Sequence, residues 1–235
     1  MFLKVIEVEH YTDRLFRIRT ERPNTYRFTA GEFTMIGMGD DDISRAYSIT
    51  SGPYDDYLEF YSIKVPDGPL TSRLQHIQVG DTIEVGDKPT GTLTLANLEL
   101  GGNLWMLATG TGIAPFISLL RDPDTYEQFE RIHVVWSVRT QAELLAYHDF
   151  LQELDIDYIP VVTQDLEWPG LKVRITDLIK DGTVLTQSVP RSDKVMICGS
   201  MPFNTDVKDM LTAYGWQEGN RRTAGTFVQE KAFVS

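Results

Sequence analysis

The chain has 235 residues, 42% hydrophobic and 24% charged, a globular balance with room for two ordinary domains. A formal net charge of −12 argues against a nucleic-acid partner, and a single cysteine excludes an intrachain disulfide and a cysteine-ligated iron–sulfur cluster. The four histidines, His10, His76, His133 and His148, lack metal-ligand spacing, so no metal is expected. Apolar runs such as Trp105 to Ala108 are too short to span a bilayer, and Met1 to Val5 shows no targeting pattern. A soluble, cytoplasmic protein is the expectation.

Residues 2–100 read as short strands. Leu3, Val5 and Val8 open the first, and Leu15 to Arg19 continues with period-two alternation. Leu58 to Val65 and Thr82 to Val85 are further strands, with one short helix expected over Thr71 to Ile77. Brief strands punctuated by Gly, Pro and Asp predict a small antiparallel barrel. After Gly101-Gly102 the pattern changes: Leu104 to Ala108 is a continuous apolar run, the mark of a strand buried on both faces. An apolar helix ending near Leu120 follows, then strand Ile132 to Trp136 and a helix from Ala142 to Leu154. Strands at Tyr158 to Val162 and Lys194 to Cys198 and a helix over Thr205 to Ala213 complete an alternation that predicts a doubly wound, mostly parallel sheet. The boundary is expected between residues 98 and 103, giving domains 1–100 and 101–235.

Four runs carry chemistry. On a strand Ser44–Thr50, Arg45 and Tyr47 share one face, and Ala46 and Ser48 the other. Arg45 suits a pyrophosphate, Tyr47 a flat ring and Ser48 a ring-edge nitrogen, although all three are also ordinary strand residues. Gly68-Pro69-Leu70-Thr71-Ser72 enters the short helix, where free N–H groups and a hydroxyl hold phosphate oxygens; Thr71 also suits that helix's N-cap. Thr109 to Pro115 follows a buried strand and opens a helix, the setting of a dinucleotide loop without the GxGxxG spacing. Cys198-Gly199-Ser200 ends a later strand at the same carboxyl edge.

In their order along the chain these runs resemble the bacterial ferredoxin (flavodoxin)–NADP reductases, from about Phe28 to Val234. The longest matches are Arg45 to Ile49, Leu58 to Leu74, Leu107 to Leu120, Val195 to Ser200 and Glu230 to Val234. The resemblance implies an FAD-binding antiparallel β-barrel followed by an α/β domain for NADP(H). It places FAD against Arg45, Ala46, Tyr47, Ser48, Tyr61, Ser62, Ile63, Lys64, Pro69, Leu70, Thr71 and Thr111. The tail is implied to fold over the flavin, with Ala232 against its ring, Phe233 on its adenine and Glu230 near the nicotinamide pocket. NADP(H) falls to Gly110, Gly112, Gly199, Arg139 and Arg174, with Cys198 bordering the nicotinamide. Ser48, Cys198, Glu230 and Ala232 are thereby the candidate catalytic residues.

One position departs from the family pattern. An arginine usually follows the Val-Thr pair, whereas Val162-Thr163 is followed by Gln164. Losing a charge-assisted bond to a 2′-phosphate costs about 1.5–3 kcal/mol, or roughly ten- to a hundredfold in affinity. A weakened NADPH preference is expected. The implied activity is electron exchange between NADPH and ferredoxin or flavodoxin through FAD, by a monomer. A reductase of free flavin, siderophore iron or an oxygenase, or a non-enzymatic flavin-binding redox sensor, fits the same core runs. Because the implied carriers are acidic, a docking patch is expected at Arg14, Arg17, Arg19, Arg22 and Arg27, with Arg73 nearby.

Overall fold

The computed structural model describes residues 1–185, 188–190 and 192–231. The tail positions Ala232 and Phe233 lie outside the described residues. The chain forms two compact units, the first holding Met1–Gly91 together with Ala114–Asp122, the second Thr92–Ile113 and the described residues from Pro123. The break therefore falls before the expected 98–103. Hydrogen bonds explain it: the Thr92 N–H donates to Glu230 and the Glu99 N–H to Gly225, both in the second unit.

The first unit is a barrel-like antiparallel sheet of β1 (Phe2–His10), β2 (Leu15–Glu21), β3 (Phe33–Gly37), β4 (Ser44–Ser48), β5 (Tyr57–Ile63) and β6 (Thr82–Val85). Their order is β4-β3-β6-β1-β2-β5. The two end strands meet: the Thr50 N–H donates to the Glu59 carbonyl at 2.8 Å, and the Ser62 hydroxyl lies 3.4 Å from that of Tyr47. In β1, Leu3 and Val5 point inward, and the register then slips by a bulge before Glu7. Alternation already leaves Ile6 exposed, and the slip turns Val8 toward the core, so the broken alternation in the sequence is a structural feature. Phe16, Ile18, Ile36, Phe60 and Leu70 fill the interior.

The helix expected over Thr71 to Ile77 is shorter, α1 (Thr71–Leu74). Beyond it the His76 and Ile77 N–H groups reach carbonyls three residues back, a tighter turn that keeps Ile77 buried with Leu74. Thr71 is not the N-cap; its hydroxyl donates instead to the Val65 carbonyl at 3.1 Å.

The second unit is built on β7 (Asn103–Thr109), β8 (Arg131–Val138), β9 (Asp157–Val162), β10 (Asp193–Gly199) and β11 (Phe227–Lys231). All neighbours are parallel, in the order β11-β10-β7-β8-β9. Chain direction across the sheet reverses at β7, which lies between β8 and β10; their carboxyl ends flank the topological switch point where open α/β sheets take ligands. The apolar helix after β7 is α2 (Ala114–Leu120), buried at every position. It belongs with the first unit: Ser118 donates to the Ser51 carbonyl at 2.7 Å, and Arg121, just past its end, to Glu59 at 3.1 Å. A short α3 (Pro123–Glu127) follows it. The single helix expected over Ala142 to Leu154 is divided into a turn, Gln141–Leu144, and α4 (His148–Glu153). After α5 (Ile175–Lys180), α6 (Met201–Ala213) starts before the expected Thr205, because the Ser200 hydroxyl caps it by accepting from the Phe203 N–H.

Candidate active site

In the barrel unit the flavin candidates gather at the junction of the sheet's two end strands. β4 carries Arg45, Ala46, Tyr47 and Ser48; β5 carries Tyr61, Ser62 and Ile63, with Lys64 directly after it. Arg45 is exposed, and its guanidinium donates only to its own Ser44 carbonyl, with no carboxylate partner among the described residues. That charge is available to an anion such as a pyrophosphate. Tyr47 packs against the barrel core, and burial raises its phenol above the usual range, so the ring is neutral and fixed by Ser62. Tyr61 and Ser62 are buried, Ile63 is half-buried, and the Lys64 ammonium donates to the Thr12 carbonyl at 2.8 Å. Leu70 is a core residue, so any contact it makes with a ligand is through its backbone at the entry to α1, beside exposed Pro69 and half-buried Thr71. Gly68 is required there, because a Cβ would stand 2.3 Å from the Thr71 hydroxyl.

In the sheet unit every nicotinamide-side candidate lies at the carboxyl edge. Thr109 leads into a turn over Gly110–Ile113 that contains Thr111, and Gly110 takes φ +54. The Trp136 Nε1–H holds the Gly110 carbonyl at 2.9 Å, and the Ser200 N–H donates to the Thr109 hydroxyl at 3.1 Å. A Cβ at Gly112 would stand 2.2 Å from the Cys198 carbonyl, and one at Gly199 2.2 Å from the Thr109 hydroxyl. Gly112 lets the turn after β7 lie directly on the end of β10, and Gly199 leaves room for the Thr109 hydroxyl. The result is a backbone-lined cradle at the switch point, suited to a dinucleotide.

Cys198 lies on β10 in register with Glu230 on β11. Burial, with the Glu230 carboxylate adding to it, pushes the Cys198 thiol well above its ordinary pKa, so it stays neutral. One Glu230 oxygen accepts the Thr92 N–H at 3.1 Å. Thr92, 138 residues from Glu230, carried no signal in the sequence.

At the far side of the same edge, Arg139 follows β8 and Arg174 immediately precedes α5. Both are exposed and without a carboxylate ion-pair partner among the described residues. Gln164 follows β9, with its N–H on the Arg139 carbonyl at 2.8 Å, so the departure from the family pattern lies next to Arg139. Carboxylates surround this region: Glu143 accepts the Arg139 N–H at 2.9 Å, and Asp165 accepts the Glu167 N–H at 3.1 Å.

The expected docking patch is partly neutralised: Arg17, Arg19 and Arg73 are paired with acids, while Arg14 is exposed with no ion pair among the described residues. Arg17 pairs with Glu7 and with Glu9 at 2.7 Å, and Arg19 with Glu7 at 2.8 Å and the fully buried Glu59 at 2.6 Å. Arg22 donates to the Pro53 and Asp55 carbonyls, Arg27 to the Asn24 carbonyl, and Arg73 clamps Asp40 and Asp41. Period-two spacing put Arg17 and Arg19 on one strand face, and the strands on either side supply the acids that neutralise them.

Residues 106–209 match the oxidoreductase NAD-binding domain family. The chain is 47% identical over 250 residues to the flavodoxin/ferredoxin–NADP reductase of Rhodobacter capsulatus, covering 98% of this chain and 92% of that protein. It is 41% identical to the ferredoxin–NADP reductase of Pseudomonas aeruginosa, covering 98% and 96%. The crystal structure of a ferredoxin NADP+ reductase from Neisseria gonorrhoeae with bound FAD and NADP superposes with a TM-score of 0.92 at 33% identity, covering 99% of this chain and 98% of that one. Among the described residues no helix is long and apolar enough to cross a membrane, and no group of His, Cys, Asp or Glu has the arrangement of a metal site.

Proposed function

Because the chain belongs to the ferredoxin (flavodoxin)–NADP reductases, we propose that it exchanges electrons between NADPH and ferredoxin or flavodoxin through FAD, with the barrel unit holding FAD and the sheet unit holding NADP(H). Bound FAD supplies the conversion between a two-electron hydride and single electrons. The chain's own residues bind and orient. Arg45 neutralises the flavin pyrophosphate, the N–H groups entering α1 take phosphate oxygens, and Tyr47 gives the ring a fixed wall. Ser48 aims its hydroxyl at the flavin's reacting edge.

On the nicotinamide side, the Gly110–Gly112 turn and Gly199 receive the dinucleotide, and Arg139 and Arg174 pair with its 2′-phosphate. Cys198 presents a neutral, polarisable surface to the nicotinamide. Glu230, oriented by the Thr92 N–H, holds the charge and can carry a proton there. The cytoplasm is the proposed compartment.

The observation carrying this reading is the near-full-length match to named reductases, joined to a cradle at the switch point that only glycines permit. Steady-state turnover with NADPH tests it. Reduction of purified ferredoxin or flavodoxin is expected to exceed that of free flavin or ferric siderophore in kcat/KM. Preference for either of the latter would reassign the acceptor, and no turnover with any of them would make the chain a sensor.

A further inference from the structure

β11 is the edge strand of the parallel sheet, so the polar groups along its outer side have no strand to pair with. Side chains and loops stand in for one. The Phe227 carbonyl accepts from the Gly219 N–H at 2.7 Å and that of Gln229 from the Thr92 hydroxyl at 3.1 Å; the Glu230 carbonyl, turned by alternation to the β10 side, accepts from Asn204 Nδ2 at 2.9 Å where β10 ends. Asn204 lies in the first turn of α6 and is 0% exposed. Its Oδ1 has no hydrogen-bond partner among the described residues.

An amide buried with its acceptor unmet is costly, and leucine has a similar branched shape without that cost. Stability alone does not account for this residue. What its donor half does is hold the strand end that carries Glu230, which is in register with Cys198. Thr92 fixes the same residue from another side through the carboxylate.

We propose that Asn204 is a positioning residue for hydride transfer: by pinning the Glu230 carbonyl it fixes the end of β11, and so the place of the Glu230 carboxylate beside Cys198. The proposal rests on the reading that Glu230 serves the transfer. It predicts that Asn204 acts through Glu230 and through nothing else.

A double-mutant cycle on the FAD-loaded enzyme tests both statements. Stopped-flow hydride transfer is measured for Asn204→Leu, Glu230→Gln and the pair. Amide hydrogen exchange in the peptide Phe227–Lys231 and the thermal midpoint are measured alongside. Asn204→Leu is expected to slow transfer about three- to tenfold, the worth of one hydrogen bond, and to cost nothing further once Glu230 is Gln. Exchange in that peptide should rise, while the thermal midpoint and the KM for NADPH stay close to wild type. Should Asn204→Leu fail to fold, Asn204→Ala removes the donor without added bulk, with the same slowing and the same rise in exchange expected. A wild-type rate for the Asn204 variants, unchanged exchange, or the same slowing in the Glu230→Gln background would overturn the positioning role and leave Glu230's part intact. A wild-type rate for Glu230→Gln would overturn both.

Discussion

In the proposed function, the chemistry and the cofactor choice turn on Ser48 and Gln164. Ser48 ends β4 half-buried, cross-strand from Phe33, so its hydroxyl adds little to the barrel's packing. Ser48→Ala is therefore expected to slow hydride transfer by about tenfold or more while leaving FAD affinity within about threefold, a split read by stopped-flow and by flavin titration. Equal losses in both would make Ser48 a binding residue only. Gln164 is tied by its backbone to Arg139 and offers no charge. Gln164→Arg should raise the NADPH-over-NADH ratio of kcat/KM by about ten- to a hundredfold, the worth of a charge-assisted bond. An unchanged ratio would mean the 2′-phosphate lies elsewhere.

Much at this scale was legible because glycines and a strand-to-helix turn are local signals. Gly112 and Gly199 announce close approach in the sequence, and the structure supplies the atoms they approach, whereas Gly110 answers to a positive φ in open space. Thr92 and Asn204 were invisible, since each meets Glu230 only after the sheet has formed. The arginine run misled, because composition along one strand says nothing of the acids on the strand paired with it. Glu7 and Glu9 lie on β1 and Glu59 on β5, and both strands flank β2.

Among the elements, the parallel sheet carries a titration of its own. On β7 and β8, Trp105 and His133 stack with centroids 3.9 Å apart, and His133 Nδ1 lies 2.9 Å from Asp157 on β9. Burial lowers the His133 pKa, outweighing the pull of Asp157 toward the charged form. The folded state therefore disfavours the imidazolium. As pH falls below the unfolded value of about 6.5, the unfolded chain binds a proton that the folded one resists, and stability declines. Asp157, held low chiefly by Arg131, acts only below about pH 4 and so lies outside that window. The thermal midpoint should drop between pH 7 and 5, and His133→Phe, which keeps the stack, should reduce the drop. Some dependence remains from His10, whose pKa burial and the Lys64 charge also lower. An identical pH profile in the variant would assign the effect elsewhere.

Element type was readable where an apolar run was continuous, as in β7 and β8. It failed where tertiary packing decides. The bulge in β1 breaks alternation, the helix expected from Ala142 onward is interrupted, and β11 is too short and too polar to show a pattern.

For the molecule as a whole, two compact units with different sheet types account for a chain of 235 residues whose composition changes after Gly101-Gly102. That switch from alternating to continuous apolar strands made the two fold classes legible. The exact break was not, because Thr92 to Leu98 joins the second unit through hydrogen bonds that no local pattern encodes. With a net charge of −12 and Arg17, Arg19 and Arg73 already paired with acids, binding of an acidic carrier depends on cations other than those three. The most direct measurement is an anaerobic titration of the purified protein with NADPH, followed by visible absorbance. FAD should copurify with the chain, and its yellow bands should bleach at about one NADPH per flavin. A colourless protein that takes up no FAD, or flavin bands indifferent to NADPH, would contradict the account.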